Sequence, residues 1–118
     1  MKEFLLVFRR EHVNNEDQPS PEQMQGMMKL WQDWIGSIAA QDKLVSSGNR
    51  LAAEGRVVKP DSLITNGPYV ETKEAIAGYI IIKASSIDEA AELSKGCPIF
   101  AIKGNVEVRP VVAMEANN

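Results

Sequence analysis

Cysteine and histidine are nearly absent from this sequence, which has one of each among 118 residues. Cys97 has no partner for an internal disulfide, and a lone histidine cannot anchor a typical zinc site. No apolar stretch approaches the roughly 20 residues that span a bilayer. The apolar run from Phe4 to Phe8 has five residues and meets two arginines without a small-residue cleavage site, which is unlike a signal peptide. We therefore expect a cytoplasmic protein without a metal centre or a membrane partner.

Concentrated positive charge is also missing. The 13 Lys and Arg residues are spread along a chain of net charge −3, and their only adjacent pair is Arg9-Arg10. Nucleic-acid binding usually requires a basic stripe, so we expect no direct nucleic-acid partner. Gly48, Gly55 and Gly67 fit no phosphate-binding spacing, and we expect no cofactor.

Length and composition fit one globular domain. Apolar residues make up 44% and charged residues 25% of the chain, as in average soluble domains. A chain of this length buries roughly 65% of its unfolded surface, enough for one core. We expect a single domain over residues 1–112 and a flexible tail over 113–118.

Apolar periodicity predicts the order strand, helix, strand cluster, strand, helix, strand. Capping boxes begin the two helices at Ser20 and Ser86, and Gly96 is the predicted stop of the second. Turn signals at 46–49 and 54–55 divide the strand cluster. The predicted helices are 21–41 and 87–95, and the predicted strands are 3–9, 51–53, 56–59, 62–65, 78–83 and 106–109.

Two β-α-β halves of this kind indicate a ferredoxin-like α+β fold, with an antiparallel sheet and both helices on one face. The strands at 3–9 and 78–83 are apolar on both faces, which predicts that both are covered. The helices can cover only one of these faces. A second copy of the sheet is the simplest cover for the other, so we expect a homodimer.

The segment NGPYVETKE at 66–74, followed by Gly-Tyr at 78–79, resembles the signature of the DGPF-domain branch of the YCII-related family. That signature is roughly Asp-Gly-Pro-Phe, two residues, Thr-Lys-Glu, then Gly and an aromatic. The Ser-Pro-Glu helix start at Ser20, Gly-Cys-Pro at 96–98 and Val-Glu-Val-Arg-Pro at 106–110 extend the resemblance over nearly the whole chain.

Two positions depart from the signature. Asn66 replaces the usual Asp, which removes a carboxylate but keeps a residue that tolerates a tight turn. Tyr69 replaces the usual Phe, which keeps the ring and adds a hydroxyl. A role that needs the acid is therefore in question, whereas a structural role in the turn is retained.

The resemblance implies a dimeric α+β barrel in which two sheets face each other around a shared interior. It also implies two functions. Some relatives look like enzymes built around a His and an Asp in a cleft, which suggests a homodimeric small-molecule-binding barrel with cofactor-independent acid–base activity. The DGPF branch is associated with sigma factors, which suggests a non-enzymatic accessory of transcription initiation.

Five residues are candidates for the site. His12 is the natural general base because its unperturbed pKa lies near neutrality. Arg9 lies three residues before His12 and is the candidate that binds an anionic group of the same ligand. Glu71 is a second candidate acid or base, with Tyr69 and Lys73 as ligand contacts. The alternative is that His12 is a solvated loop residue and that the motif is only a turn. Its charges would then lie in water or pair with Arg50, Arg56 or Arg109.

Trp31 and Trp34 lie in the apolar stripe of the first helix, where core or dimer packing explains them better than ligand binding. Cys97 is expected to be a small buried apolar residue, because no base or cation that would activate its thiol is predictably near.

Overall fold

The computed structural model describes residues 1–11, 20–52, 54–66 and 74–113. Short 3₁₀ turns occupy Pro60–Ser62 and Pro98–Ile102. The regular elements in chain order are β1 (Lys2–Glu11), α1 (Pro21–Ala40), β2 (Leu44–Arg50), β3 (Arg56–Lys59), β4 (Leu63–Asn66), β5 (Glu74–Ala84), α2 (Ile87–Ser94) and β6 (Asn105–Pro110).

Four strands form one antiparallel sheet in the order β2-β5-β1-β6, while β3 and β4 pair only with each other. β1 lies centrally, with β5 on one side and β6 on the other. Both helices contribute to the core on the sheet face that carries Phe4, Leu6 and Phe8. This arrangement confirms the predicted ferredoxin-like α+β fold.

The core follows from alternation along the central strands. Phe4, Leu6 and Phe8 are at most 4% exposed, and each large apolar side chain buried in this way contributes about 1.5–3 kcal/mol. Ile80 and Ile82 of β5 extend the same layer. The helices close it with Trp34, Ile38 and Ala90.

The opposite side of the sheet, here called the open face, carries the intervening residues of the same strands. Leu5 lies opposite Ile81 and Val7 opposite Tyr79 in the β1–β5 register. These four side chains are only partly buried. The prediction that the central strands are apolar on both faces is therefore confirmed.

Helix α1 begins where the capping box predicted. The Ser20 hydroxyl accepts a hydrogen bond from the Gln23 amide, and the Gln23 side chain accepts one from the Ser20 amide. In α2 the Ser86 hydroxyl caps the Glu89 amide at 3.1 Å. The Glu89 carboxylate reaches the Ser85 amide and hydroxyl instead of Ser86, so the second capping box is only half formed.

Strand β2 was not predicted, and the turn expected at 46–49 is wrong. β2 continues through these residues with register shifts that mark bulges in its pairing with β5. Gly48 has φ +61°, and a Cβ there would lie 1.7 Å from the Tyr79 carbonyl oxygen. Turn-forming residues instead form a bulged strand, because β5 supplies a hydrogen-bonding partner that local sequence does not reveal. Of the predicted strand 51–53, Leu51 and Ala52 lie outside every strand, and residue 53 lies outside the described part of the chain.

The C-terminal half follows the predicted order with shifted boundaries. Strand β5 begins at Glu74, four residues before the predicted start at 78. Gly96 follows the C-cap of α2, but its φ is not positive. A Cβ there would lie 3.1 Å from the Trp34 ring, so close packing is what favours glycine. Strand β6 reaches Pro110 at a sheet edge, as expected of a residue without a backbone donor.

Within the described ranges, no helix combines the length and the apolar character needed to cross a membrane. Residues 114–118, which make up most of the predicted tail, lie outside the described part of the chain.

Candidate functional site

A cleft of about 690 Å³ lies between α1 and the sheet, at the end where β1 and β2 finish and β5 begins. Its volume falls within the range of roughly 300–1,000 Å³ that is usual for small-molecule sites. The cleft is on the helix-covered side of the sheet, opposite the open face. A chamber shared between two facing sheets was the predicted ligand site, so this cleft is a different location.

The helix wall of the cleft is apolar and rich in methionine. Met24, Met27, Met28 and Trp31 all line it. Met24 is 38% exposed and Met28 is 51% exposed. The apolar stripe of α1 therefore has two uses: its C-terminal half buries Trp34 and Ile38, while its N-terminal half leaves methionines facing a cavity.

The sheet forms the floor of the cleft. Phe8 meets Trp31 edge to face, with ring centroids 4.8 Å apart, a favourable geometry for aromatic pairs. Gly78 also lines the cleft, and a Cβ there would lie 2.7 Å from the Asn49 carbonyl oxygen. Glycine lets β2 approach β5 closely here and keeps the floor flat.

Charged groups lie at the strand ends that border the cleft. Arg10 is half-buried, whereas Glu11 and Arg50 are exposed. In the sheet register Arg10 lies opposite Ala75 and Arg50 opposite a glycine of the floor. Among the residues that the structure describes, no salt bridge involves Arg10 or Arg50.

Arg9, a predicted ligand contact, does not line the cleft. Its Nη2 lies 3.0 Å from Oε1 of Glu107, and its Nε donates to the same oxygen. Arg109 binds the other carboxylate oxygen at 3.0 Å. Hydrogen bonds from Arg109 and then from Arg9 lower the pKa of Glu107. Arg9 thus belongs to an ion-pair group on the open face, and its role in ligand binding remains a prediction.

The other four predicted site residues, His12, Tyr69, Glu71 and Lys73, lie outside the described residues. Glu11, which immediately precedes His12, lines the cleft, and so does Ala75, two positions after Lys73. Both segments that carry the candidates therefore adjoin the border of the cleft in sequence.

Arg10 is a cleft residue that sequence reasoning missed. Arg9 was chosen because it lies near His12 in sequence, but strand alternation contains the better signal. Phe8 and Arg10 are two positions apart and therefore belong to the same face, whereas Arg9 belongs to the other. Extending the predicted strand from 9 to 11 would have revealed this difference.

Cys97 is 3% exposed. Burial raises the pKa of its thiol to about 12, so the thiol is protonated at neutral pH and is a poor nucleophile. The prediction of a buried structural cysteine is confirmed. Across the described ranges, no three His, Cys, Asp or Glu side chains come together as a metal site would require.

Together, the fold and the cleft define a ferredoxin-like α+β protein with a ligand-sized cavity between its first helix and the sheet. The model of the YCII-related domain matches residues 4–115, nearly the whole chain. The chain belongs to this family, and the family predicted from the motif at 66–74 is confirmed. A search among curated proteins found no match.

Proposed function

We propose that this YCII-related protein binds a small organic molecule in the cleft beside α1. The observation that carries the proposal is a 690 Å³ cavity with exposed methionines on one wall. Exposed apolar surface of this kind is unfavourable in water unless a ligand or partner covers it. Methionine side chains are flexible and polarizable, so they can adapt to the shape of a ligand.

The proposed functional unit is a cytoplasmic homodimer in which the open faces of two sheets cover each other. Support comes from the partly buried apolar residues Leu5, Val7 and Ile81, which no helix of the described chain covers. The cleft lies on the other side of the sheet. Ligand binding and dimer formation therefore use separate surfaces.

We propose that the protein converts the bound ligand by acid–base catalysis without a cofactor. His12 would act as the base and Glu71 as its acid partner, with Tyr69 and Lys73 as ligand contacts. The proposal draws support from adjacency in sequence. His12 directly follows Glu11, and the segment with Tyr69, Glu71 and Lys73 ends two positions before Ala75. Both Glu11 and Ala75 line the cleft.

Two substitutions on α1 test the location of the ligand. Met28 lines the cleft and is 51% exposed, while Leu30 is 54% exposed and does not line it. Met28→Glu places a charge in the apolar cavity, whereas Leu30→Glu adds the same charge to the outer surface. Both positions are exposed, so we expect both variants to fold.

The measurement is a fragment screen by ligand-observed NMR on the wild-type chain, followed by affinities for the variants. We expect Met28→Glu to weaken binding at least about tenfold, because a bound ligand would bury the new charge without a partner. Leu30→Glu should bind as the wild type does. Equal effects of the two substitutions, or a screen without any hit, would contradict the proposal.

A second function, an accessory of sigma factors as in the DGPF branch, is favoured by one observation. Val58 and Ile64 lie opposite each other on the β3–β4 hairpin and are 69% and 62% exposed. An exposed apolar pair on a hairpin that is separate from the main sheet suits contact with another protein. This function would use the hairpin and leave the cleft dispensable, so it predicts that Met28→Glu has no effect on activity.

A further inference from the structure

We infer that the ligand of the cleft is an amphiphilic carboxylate, with one acidic group that pairs with Arg10 and an apolar body that lies along α1. This inference rests on the proposed function, since it specifies the ligand of the same cleft.

Arg10 is the half-buried cation of the cleft. Its neighbour Arg9 and the nearby Arg109 both bind Glu107 on the open face. Arg10 has no such partner among the described residues. A partly desolvated cation without a counter-charge is unfavourable, and a bound anion would relieve this cost. The planar guanidinium fork fits a carboxylate with two parallel hydrogen bonds.

The helix wall of the cleft selects an apolar body. This wall presents Met24, Met27, Met28 and Trp31, with Gln32 as its one polar residue among those described. The floor adds Phe8 and glycine backbone, while the polar lining residues of the sheet are Ser47, Asn49 and Tyr79. A ligand with polar groups along the part that faces α1 would lose hydrogen bonds to water without replacing them, so an apolar body against the helix is favoured.

The charge balance of the cleft favours a monoanion. The described lining contains two arginines, Arg10 and Arg50, and one acidic residue, Glu11, although the chain as a whole carries −3. Glu11 is exposed at the end of β1, where solvent and salt screen its repulsion. Arg10 is half-buried and therefore interacts more strongly with a ligand than Glu11 does.

Three matched probes test this preference: naphthalene-2-carboxylate, naphthalene-2-carboxamide and 2-naphthylmethylamine. They share one ring system and differ in charge, and isothermal titration calorimetry measures each dissociation constant. We expect the wild-type chain to bind the carboxylate about tenfold more tightly than the carboxamide, and the amine most weakly. Arg10→Gln should remove this preference while leaving the carboxamide affinity within about twofold.

Arg56→Gln is the control, because Arg56 is exposed on the hairpin and does not line the cleft. It should reproduce the wild-type affinities. Should Arg10→Gln fail to fold, the wild-type chain still tests the inference. Its affinity for the carboxylate must fall as the salt concentration is raised, while its affinity for the carboxamide stays unchanged.

Equal binding of carboxylate and carboxamide by the wild type, or a preference that survives Arg10→Gln, overturns the inference and leaves the proposed function standing. Failure of all three probes overturns the inference as well. The proposed function then depends on the fragment screen and the Met28→Glu comparison.

Discussion

At the scale of single residues, position in the strand decides the chemistry. Arg9 and Arg10 are identical and adjacent, yet β1 directs them to opposite faces of the sheet. Arg9 joins Glu107 and Arg109 in an ion-pair group. Arg10 borders the cleft without a salt-bridge partner in the described part of the chain. One of the two arginines is thereby engaged within the protein, and the other is available to a ligand.

The cysteine provides a prediction at this scale. Because burial raises the pKa of the Cys97 thiol to about 12, the native protein should not react with Ellman's reagent at mildly alkaline pH. The thiol should react promptly once guanidinium unfolds the chain. Ala101→Cys places a second thiol at an exposed position nearby and serves as the positive control. Native Cys97 reacting as fast as this added thiol would contradict the burial.

At the scale of elements, β2 and α1 define the cleft. The bulged β2 brings Asn49 and Arg50 to its border, while α1 supplies the methionine wall. Neither contribution to the cleft is evident from local sequence patterns. The sequence of β2 resembles a turn, and the apolar stripe of α1 resembles one that is buried along its whole length. The cleft exists because α1 buries only Trp34 and Ile38, leaving its first half without a packing partner in the described chain.

Gly48 provides a prediction for β2. Gly48→Ala should lower the free energy of unfolding by at least about 2 kcal/mol, because alanine resists positive φ and its Cβ would collide with the Tyr79 carbonyl. Gly36→Ala is the control. Gly36 lies within α1, and a Cβ there would meet no atom within 4 Å, so the substitution should raise the free energy of unfolding by up to about 1 kcal/mol. Urea unfolding followed by tryptophan fluorescence measures both. An unchanged stability for Gly48→Ala would show that β2 does not pass Tyr79 this closely.

At the scale of the whole molecule, the sheet separates the two surfaces for which we propose ligand binding and dimer formation. Its helix-covered face holds the core and the cleft, and its open face presents a partly buried apolar centre flanked by charged pairs. The apolar centre of this face suits pairing with an identical face, because pairing would remove Leu5, Val7 and Ile81 of both copies from water. In such a dimer, the cleft of each protomer would lie on the helix-covered face of its sheet, away from the dimer contact.

Light scattering tests the dimer. We expect a mass of about twice the 13.0 kDa of one chain. Val7→Glu places a charge at the centre of the open face, opposite Glu107 in the β1–β6 register, and should shift the mass to that of a single chain. Val112→Glu, at a position 85% exposed, is the control and should remain dimeric. A folded wild-type monomer in dilute buffer would contradict the prediction.

Much of the fold could be predicted because its signals are local. The Ser20 capping box, the alternation of Phe4 to Phe8 and the edge proline of β6 act through neighbouring residues and behave as expected. The site was harder to predict from the sequence. His12 and the motif at 66–74 were chosen by chemistry and by resemblance. The face that carries Arg10 follows from strand alternation, whereas the methionine wall becomes apparent only when α1 lies over the sheet.

By itself the sequence determined the order of elements, the family and the apolar character of both sheet faces, because each depends on residue type and spacing. Tertiary structure alone decided that residues 46–49 form a strand, that a cavity lies on the sheet face that carries Arg10, and that the first half of α1 remains unburied. These outcomes depend on which distant segments meet. Pairing across the sheet and packing of the helix onto it outweigh local preference.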